Sequence, residues 1–235
     1  MRKENFWLDG IDANQVGIGL QKEIEFSAAE PDVQKITVPG RSGELVYVNG
    51  GYKNIKGTAK CYALDAANVS RIVAAQNAWL LKSAAYRRLE TLSEPEVFRM
   101  ARLVRGANLE PRLNRMNPFT LEFDCQPQRY LKSGERPVTL TGSSSLHNPT
   151  PFTALPLITI FGSGSGVLSI NGVSTTIDDC NGVTLDSERH RAYKSGENKT
   201  GAVHGDWPVL GEGENVISLG GGIDSVTIIP RWWTL

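Results

Sequence analysis

Short runs of alternating hydrophobic and polar residues, separated by turn residues, fill most of the first half of the chain. Phe6 to Leu8 is followed by Asp9-Gly10 and then Ile11, which is the pattern of a tight β-hairpin. A turn-rich segment, Pro39 to Gly43, separates two further apolar runs. Other short strands are expected at residues 16–20, 24–26, 36–38, 44–48, 53–62, 89–92, 98–104 and 119–125.

One segment, residues 65–85, has hydrophobic positions at helical rather than strand spacing. Asp65 or Asn68 could cap its beginning, and its alanines favour a helix. The predicted helix has one apolar face, so it should lie on a sheet with Trp79 as its anchor. The residues of that face are Val69, Ile72, Val73, Gln76, Trp79 and Leu80.

The second half of the chain has short strand patterns at regular spacing, which favours a β-sandwich. Asn171-Gly172 is the strongest hairpin signal in the sequence. The glycine-rich segment Gly162 to Gly166 is predicted to be a flexible hairpin turn, because no Lys-Ser/Thr pair follows it as in a phosphate-binding loop. Strands are expected at residues 157–161, 167–170, 173–177, 183–186, 192–193, 216–219 and 225–229.

A stretch rich in Gly, Ser, Pro and Asn, residues 127–151, lies between the two patterns and predicts a domain boundary. We therefore expect an N-terminal domain at 1–135, a linker at 136–152 and a C-terminal domain at 153–235. The fold class is mainly β. The first domain is predicted to be a β-sandwich or split-barrel-like fold with one α-helix, and the second to be a β-sandwich.

Charge and cysteine content narrow the class of protein further. The 25 basic and 25 acidic residues sum to zero, which gives no general attraction to nucleic acid or to a membrane. Residues 1–150 carry 20 basic and 16 acidic residues, whereas residues 151–235 carry 5 and 9, as expected for two domains or for subunits that meet head to tail. Three widely spaced cysteines predict reduced, buried thiols and a reducing compartment.

No catalytic, cofactor or metal site is predicted. The first residues hold no apolar stretch long enough for a signal peptide or a membrane span, so a soluble protein is expected. The three histidines lack the close spacing of metal ligands, and no G-x-S-x-G motif is present. The acidic pairs Asp178-Asp179 and Glu212/Glu214 are best interpreted as solvated loop residues rather than as the carboxylates of a glycosidase.

Residues 87–115 hold seven arginines and no lysine. Arginine suits buried or interfacial ion pairs, and the glutamates interleaved with these arginines favour salt bridges and protein contacts over nucleic acid. Arg99, Arg102 and Arg105 are the candidate interface residues of this segment. The seven are Arg87, Arg88, Arg99, Arg102, Arg105, Arg112 and Arg115.

The last apolar pattern of the sequence contains two adjacent tryptophans, Trp232 and Trp233. Side chains alternate between the two faces of a strand, so one ring should face a core and the other the opposite side. We expect Trp233 to be available for an interface. The pair predicts a strand in a packed sheet, since so much apolar area is rarely left in water.

The order and spacing of several motifs resemble those of the distal tail proteins of long-tailed bacteriophages and prophages. The resemblance spans nearly the whole chain. It rests on V-P-G-R-S-G-E-L at 38–45, F-T-L-E-F-D-C-Q-P-Q-R-Y at 119–130, A-L-P-L-I-T-I-F-G-S-G-S-G at 154–166, G-E-N-V-I-S-L at 213–219 and I-I-P-R-W-W-T-L at 228–235.

The resemblance implies an N-terminal domain that assembles into a hexameric ring and a galectin-like C-terminal β-sandwich outside that ring. Pro39 to Gly43, with Arg41, would form the loop of the ring domain and is a further interface candidate. The implied partners are other copies of the chain, the tail tube protein and a tail tip or tail-associated protein. The resemblance implies no cofactor and no contact with nucleic acid or a membrane. It also implies that the protein is located in the virion after assembly in the bacterial cytoplasm.

Two alternatives remain open on the sequence alone. Galectin-like sandwiches often bind sugars, so the chain could be a carbohydrate-binding module in host recognition. Tyr193 and Trp207 are the candidate stacking residues, because sugar rings usually pack on an exposed aromatic side chain. A wall-degrading enzyme is the third class, and no motif supports it.

Overall fold

The computed structural model describes residues 4–65, 69–105 and 118–235. The chain divides into two compact units, unit 1 comprising Met1–Arg129 with Leu235 and unit 2 comprising Tyr130–Thr234. Each unit has its own hydrophobic core. The predicted fold class, mainly β with a helix in the first half, is confirmed.

Unit 1 is built on one curved antiparallel sheet in the order β2-β1-β8-β9-β10-β7-β3, with β4 added to β7. Strands β5 and β6 form a separate two-stranded sheet. The elements are β1 (Phe6–Leu8), β2 (Ile11–Asp12), β3 (Ile18–Leu20), β4 (Glu25–Phe26), β5 (Pro31–Thr37), β6 (Glu44–Tyr52), β7 (Ile55–Ala63), α1 (Val69–Leu80), β8 (Arg87–Thr91), β9 (Val97–Arg105) and β10 (Pro118–Cys125).

Helix α1 packs on this sheet through Trp79, as predicted. The Trp79 indole stacks on the Phe6 ring with 5.8 Å between centroids, and its Nε1 donates a hydrogen bond to the Leu8 carbonyl at 3.3 Å. The helix is shorter than the predicted segment, and Asn68, one of its two proposed caps, lies outside the described residues. Among the described residues no helix is long and apolar enough to cross a membrane.

Both predicted two-residue hairpin turns are confirmed. Asp9 and Gly10 have φ angles of 52° and 74°, and Asn171 and Gly172 have 53° and 82°. Positive φ at both central positions defines a turn whose twist matches that of the flanking strands. The turn residues therefore fix the registers of these hairpins, which can be read from the sequence because the cause is local.

Unit 2 contains one extended sheet in which the long strands β14 and β20 pair along most of their length. Strand β11 begins at the last residue of unit 1. The elements are β11 (Arg129–Leu131), β12 (Val138–Leu140), β13 (Ser144–Asn148), β14 (Leu157–Ile170), β15 (Val173–Ile177), β16 (Val183–Asp186), β17 (Arg191–Lys194), β18 (Glu197–Asn198), β19 (Val203–Gly205), β20 (Gly213–Ile229) and β21 (Trp233–Thr234).

The β14–β20 pair runs through both layers of a sandwich. Near one end it is flanked by β12 and β16, and near the other end by β13 and β15. Buried residues from both ends meet in one core, among them Ile160 and Leu185 from the first layer and Leu168 and Ile217 from the second. Unit 2 is thus a β-sandwich whose two layers share two strands.

The predicted hairpin turn at Gly162 to Gly166 is wrong, because these residues lie inside the single strand β14. The register shifts here, and Gly162 and Gly166 of β14 lie against Gly220 to Gly222 of β20. A Cβ atom at Gly162 would overlap the carbonyl oxygen of Gly222. The glycines therefore permit a close approach of two backbones where the strand pair bends between layers.

The segment expected to be a linker, residues 136–152, contains β12 and β13, both paired with β20. Unit 2 also begins before the expected boundary. The Leu131 amide donates to the Trp232 carbonyl at 2.9 Å, and the Arg231 amide donates to the Gly134 carbonyl at 2.8 Å. These hydrogen bonds hold residues 131–134 against the end of unit 2.

Candidate interaction surfaces

Strands β5 and β6 form a two-stranded ribbon that is exposed along its length, which we call the ribbon (residues 31–52). Among the described residues, none of the ribbon contributes to either hydrophobic core. Val46, Tyr47 and Val48 are 58%, 62% and 61% exposed. Water-exposed runs of this kind are uncommon on proteins that act as monomers, so the ribbon is the leading candidate for a protein interface.

Arg41 lies at the tip of the ribbon, in the predicted turn between β5 and β6. Its amide donates to the Val38 carbonyl at 3.2 Å, which closes the turn, and its side chain is exposed. Arg41 is therefore placed at an accessible end of the apolar surface, where a guanidinium can reach a partner.

The four arginines whose side chains the structure describes in this segment form ion pairs inside unit 1. Arg87 Nε contacts Asp9 Oδ2 at 2.6 Å, and Arg88 Nε contacts Glu90 Oε1 at 2.6 Å. The Arg88 guanidinium also lies 3.8 Å from the centroid of the Phe98 ring, a cation–π geometry. The Arg105 side chain, with Arg112 and Arg115, lies outside the described residues.

Arg99, one of the predicted interface residues, is buried rather than exposed. Only 8% of its side chain is accessible, its guanidinium pairs with Glu94, and it lies 4.0 Å from the centroid of the Phe26 ring. Arg129 Nη2 also donates a hydrogen bond to Glu94 Oε1 at 2.6 Å. One carboxylate thus neutralises two arginines, so Arg99 acts within unit 1 and presents no free guanidinium to a partner.

Arg102 is the most exposed of the described arginines of this segment, and it borders a shallow groove of about 420 Å³. Its Nε donates to Asp124 Oδ2 at 2.8 Å, and Tyr86 and Asn54 also donate to the Asp124 carboxylate at 2.9 Å each. Burial raises the pKa of Asp124, but these hydrogen bonds outweigh burial and hold the pKa below its ordinary value. The groove is lined by Asn54, Ile55, Lys56, Arg102, Val104, Glu122, Phe123 and Asp124.

The two adjacent tryptophans differ in environment, as predicted, although only Trp233 lies in a strand. Trp232 is 5% exposed and belongs to the core of unit 2. Trp233 is half-buried, stacks on Phe152 with 4.4 Å between centroids, and donates from Nε1 to the Thr153 carbonyl at 3.0 Å. Its polar atom and one ring face are thus engaged within unit 2, so an interface could use only the part of the ring that stays accessible.

The two candidate sugar-stacking residues are both half-buried, and each has one side chain close to its ring. Trp207 packs against the core of unit 2 and stacks on His190 in a nearly parallel arrangement, with 5.7 Å between centroids. Tyr193 pairs with Thr184 across β16 and β17, and Arg191 lies 5.3 Å from its ring centroid. The carbohydrate hypothesis therefore stays a prediction for both Tyr193 and Trp207, since each ring is half-buried and keeps part of its surface accessible.

All three cysteines are buried free thiols, as predicted. Burial raises the pKa of Cys61 and of Cys125 to about 12 and also raises that of Cys180. Because the thiolate is the reactive form, a high pKa and a buried sulfur both suppress reaction with electrophiles.

We expect the native chain to incorporate no iodoacetamide at pH 8 over a period in which a urea-denatured sample is alkylated at Cys61, Cys125 and Cys180. Peptide mass spectrometry measures the modification at each site separately. Rapid alkylation of any one cysteine in the native chain would contradict its buried position.

The described geometry defines a class of fold, namely two β-rich units of which the first carries a packed helix and an exposed two-stranded ribbon. No protein-family model matches the chain, and no curated protein matches its sequence. Solved structures do match this fold over nearly the whole length.

The chain is similar to the Dit protein of phage SPP1, described as a paradigm of the hub adsorption apparatus in phages that infect Gram-positive bacteria. The TM-score is 0.73 at 16% identity, over 99% of both chains. A chain of the phage p2 baseplate in its activated conformation with strontium has a TM-score of 0.50 at 10% identity, over 97% of both chains. The resemblance to distal tail proteins is thereby confirmed at the level of the fold.

Proposed function

We propose that the chain is a non-catalytic structural hub of a bacteriophage tail. In this proposal it forms a hexameric ring that connects the tail tube to the tail tip or baseplate, and it resides in the virion after assembly in the bacterial cytoplasm. The observation that carries the proposal is the match to the Dit hub protein over 99% of both chains, which includes both units.

Features of the chain itself support self-association. The ribbon exposes apolar side chains that contribute to no core of the described chain. Ring subunits meet through two different surfaces, so a projecting element on one copy and a complementary area on the next can close the circle. We assign the ribbon, with Arg41 at its tip, to the contact between neighbouring copies.

The two units have separate roles in this proposal. Unit 1 holds the ribbon and is assigned to the ring. Unit 2, the β-sandwich, is assigned to the outside of the ring as the galectin-like domain. The tube protein and a tail tip or tail-associated protein are the proposed partners, and neither nucleic acid nor a membrane is required.

The mass of the purified full-length chain in solution tests the ring. Six copies of 25.6 kDa weigh about 154 kDa, and we expect size-exclusion chromatography with light scattering to give this value at micromolar concentrations. A mass near 25.6 kDa at every concentration, unchanged by addition of a tail tube protein encoded beside it, would contradict the proposed ring.

A further inference from the structure

The sequence of β6 conflicts with its exposure in the single chain. Leu45, Val46, Tyr47 and Val48 form an unbroken apolar run, whereas strands with one face in water normally alternate apolar and polar residues. An unbroken run is typical of strands that are buried on both faces. In the described chain every residue of β6 is nevertheless exposed.

Strand register assigns these side chains to opposite faces of the ribbon. On one face, called face A, Val46 pairs with Lys35 and Val48 with Val33. On the other, called face B, Leu45 pairs with Ile36 and Tyr47 with Gln34. Each face therefore presents large apolar side chains, and neither is the polar face of an ordinary hairpin.

An isolated two-stranded ribbon is marginally stable in water unless an apolar face packs on another surface. If one face alone were covered, the apolar residues of the other would remain exposed at a cost proportional to their area. The ion pair between Lys35 and Glu44, 3.6 Å apart, satisfies the charges of face A within the ribbon. Face B has no charged residue at its paired positions Leu45, Ile36, Tyr47 and Gln34, so both faces are suited to apolar surfaces rather than to a charged ligand.

We propose that both faces of the ribbon are buried against other copies of this chain, so that each ribbon lies between two subunit surfaces. The inference rests on the proposed ring and makes it more specific. The chain itself offers further exposed apolar side chains in unit 1 that a ribbon could cover, including Leu81 at 60% and Val104 at 63% exposure. A ring closes through heterologous contacts, in which the ribbon of one copy packs on a different surface of the next copy.

Two neighbouring residues give a matched test, because Val46 and Tyr47 are equally exposed but point to opposite faces. Val46→Lys places a charge on face A and Tyr47→Lys places one on face B. The control is Val216→Lys, at a β20 valine of unit 2 that is 60% exposed. All three side chains are exposed in the single chain, so each variant should fold, which circular dichroism and thermal unfolding check.

The measured quantity is the protein concentration at which half of the chain is assembled, obtained by light scattering across a dilution series. We expect both ribbon variants to raise this concentration at least about tenfold, since a charge introduced into a buried apolar contact must be desolvated. Val216→Lys should assemble as the unmodified chain does.

The outcomes separate this inference from the proposed function. If one ribbon variant assembles at the same concentration as the unmodified chain, the corresponding face is not buried. That result would overturn the two-faced contact but would leave the proposed ring unaffected. If the unmodified chain never assembles, alone or with the tail tube protein, both proposals fail. If Val216→Lys disrupts assembly as strongly as the ribbon variants do, the effect is not specific to the ribbon and the inference is overturned.

Discussion

Replacing Gly222 with alanine is expected to prevent the native packing of unit 2 while leaving unit 1 folded. A Cβ atom at Gly222 would overlap the carbonyl oxygen of Ser163, and it would also lie 3.0 Å from the carbonyl oxygen of Ser165. Both obstacles are backbone atoms of the paired strand β14, so no side-chain rotation relieves them. We expect a loss of about 3 kcal/mol or more in the stability of unit 2.

Gly220→Ala is the matched control, since it lies in the same strand and its Cβ would be 3.5 Å from the nearest atom, an ordinary contact. Alkylation of the buried cysteines gives a readout for each unit, because Cys180 lies in unit 2 and Cys61 and Cys125 lie in unit 1. Gly222→Ala should accelerate alkylation at Cys180 alone. Equal alkylation at Cys180 in the two alanine variants would show that the close approach at Gly222 is not required.

Replacing Glu94 with alanine is expected to destabilise unit 1 by about 3 kcal/mol, because it leaves two arginines without their shared carboxylate. Arg99 is only 8% exposed, so its charge cannot be hydrated in place. The expected loss lies at the low end for breaking a buried ion pair, since the Glu94 side chain is itself 29% exposed. Stability should also fall with Glu94→Gln, which keeps the shape of the side chain but removes the charge.

Urea unfolding of unit 1, followed through alkylation of Cys125, measures this effect. Cys125 pairs with Ala101 in β9, two residues from Arg99, so loosening of this strand should expose the thiol. Glu96→Ala is the control, because Glu96 is an exposed glutamate of the same segment. If Glu94→Ala and Glu96→Ala unfold at the same urea concentration, the pairing of Glu94 with two arginines does not stabilise unit 1.

The features that the sequence predicted correctly have local causes. Asp9-Gly10 and Asn171-Gly172 form their turns because both residues of each pair adopt positive φ. Trp79 anchors α1 because it lies on the apolar face of a helical repeat and reaches Phe6. These elements depend on residues a few positions apart, so the pattern alone indicates them.

The features that the sequence did not reveal depend on distant residues. Gly162 to Gly166 looks like a turn, and only the glycines at 220–222 make it a corner in a continuous strand. β13, with the sequence S-S-L-H-N, has no apolar alternation and becomes a strand because β20 is beside it. Short polar segments of this kind take their structure from tertiary pairing.

The environments of the candidate interface residues also depend on distant residues, so the sequence alone does not reveal them. Arg99 and Arg102 are three positions apart in one arginine-rich run, and nothing in that run distinguishes them. In the structure the first is buried beside Glu94 and Phe26, while the second is exposed at a groove. Conversely, the apolar run at Leu45 to Val48 is typical of a buried strand, but the single chain leaves it exposed.

The ribbon also affects how readily the isolated chain aggregates. β5 and β6 pair only with each other among the described residues, so each leaves an open strand edge beside exposed apolar side chains, a combination that promotes aggregation. Lys35 and Glu44 interrupt that surface with charge. We therefore expect these two charged residues to slow aggregation of the isolated chain.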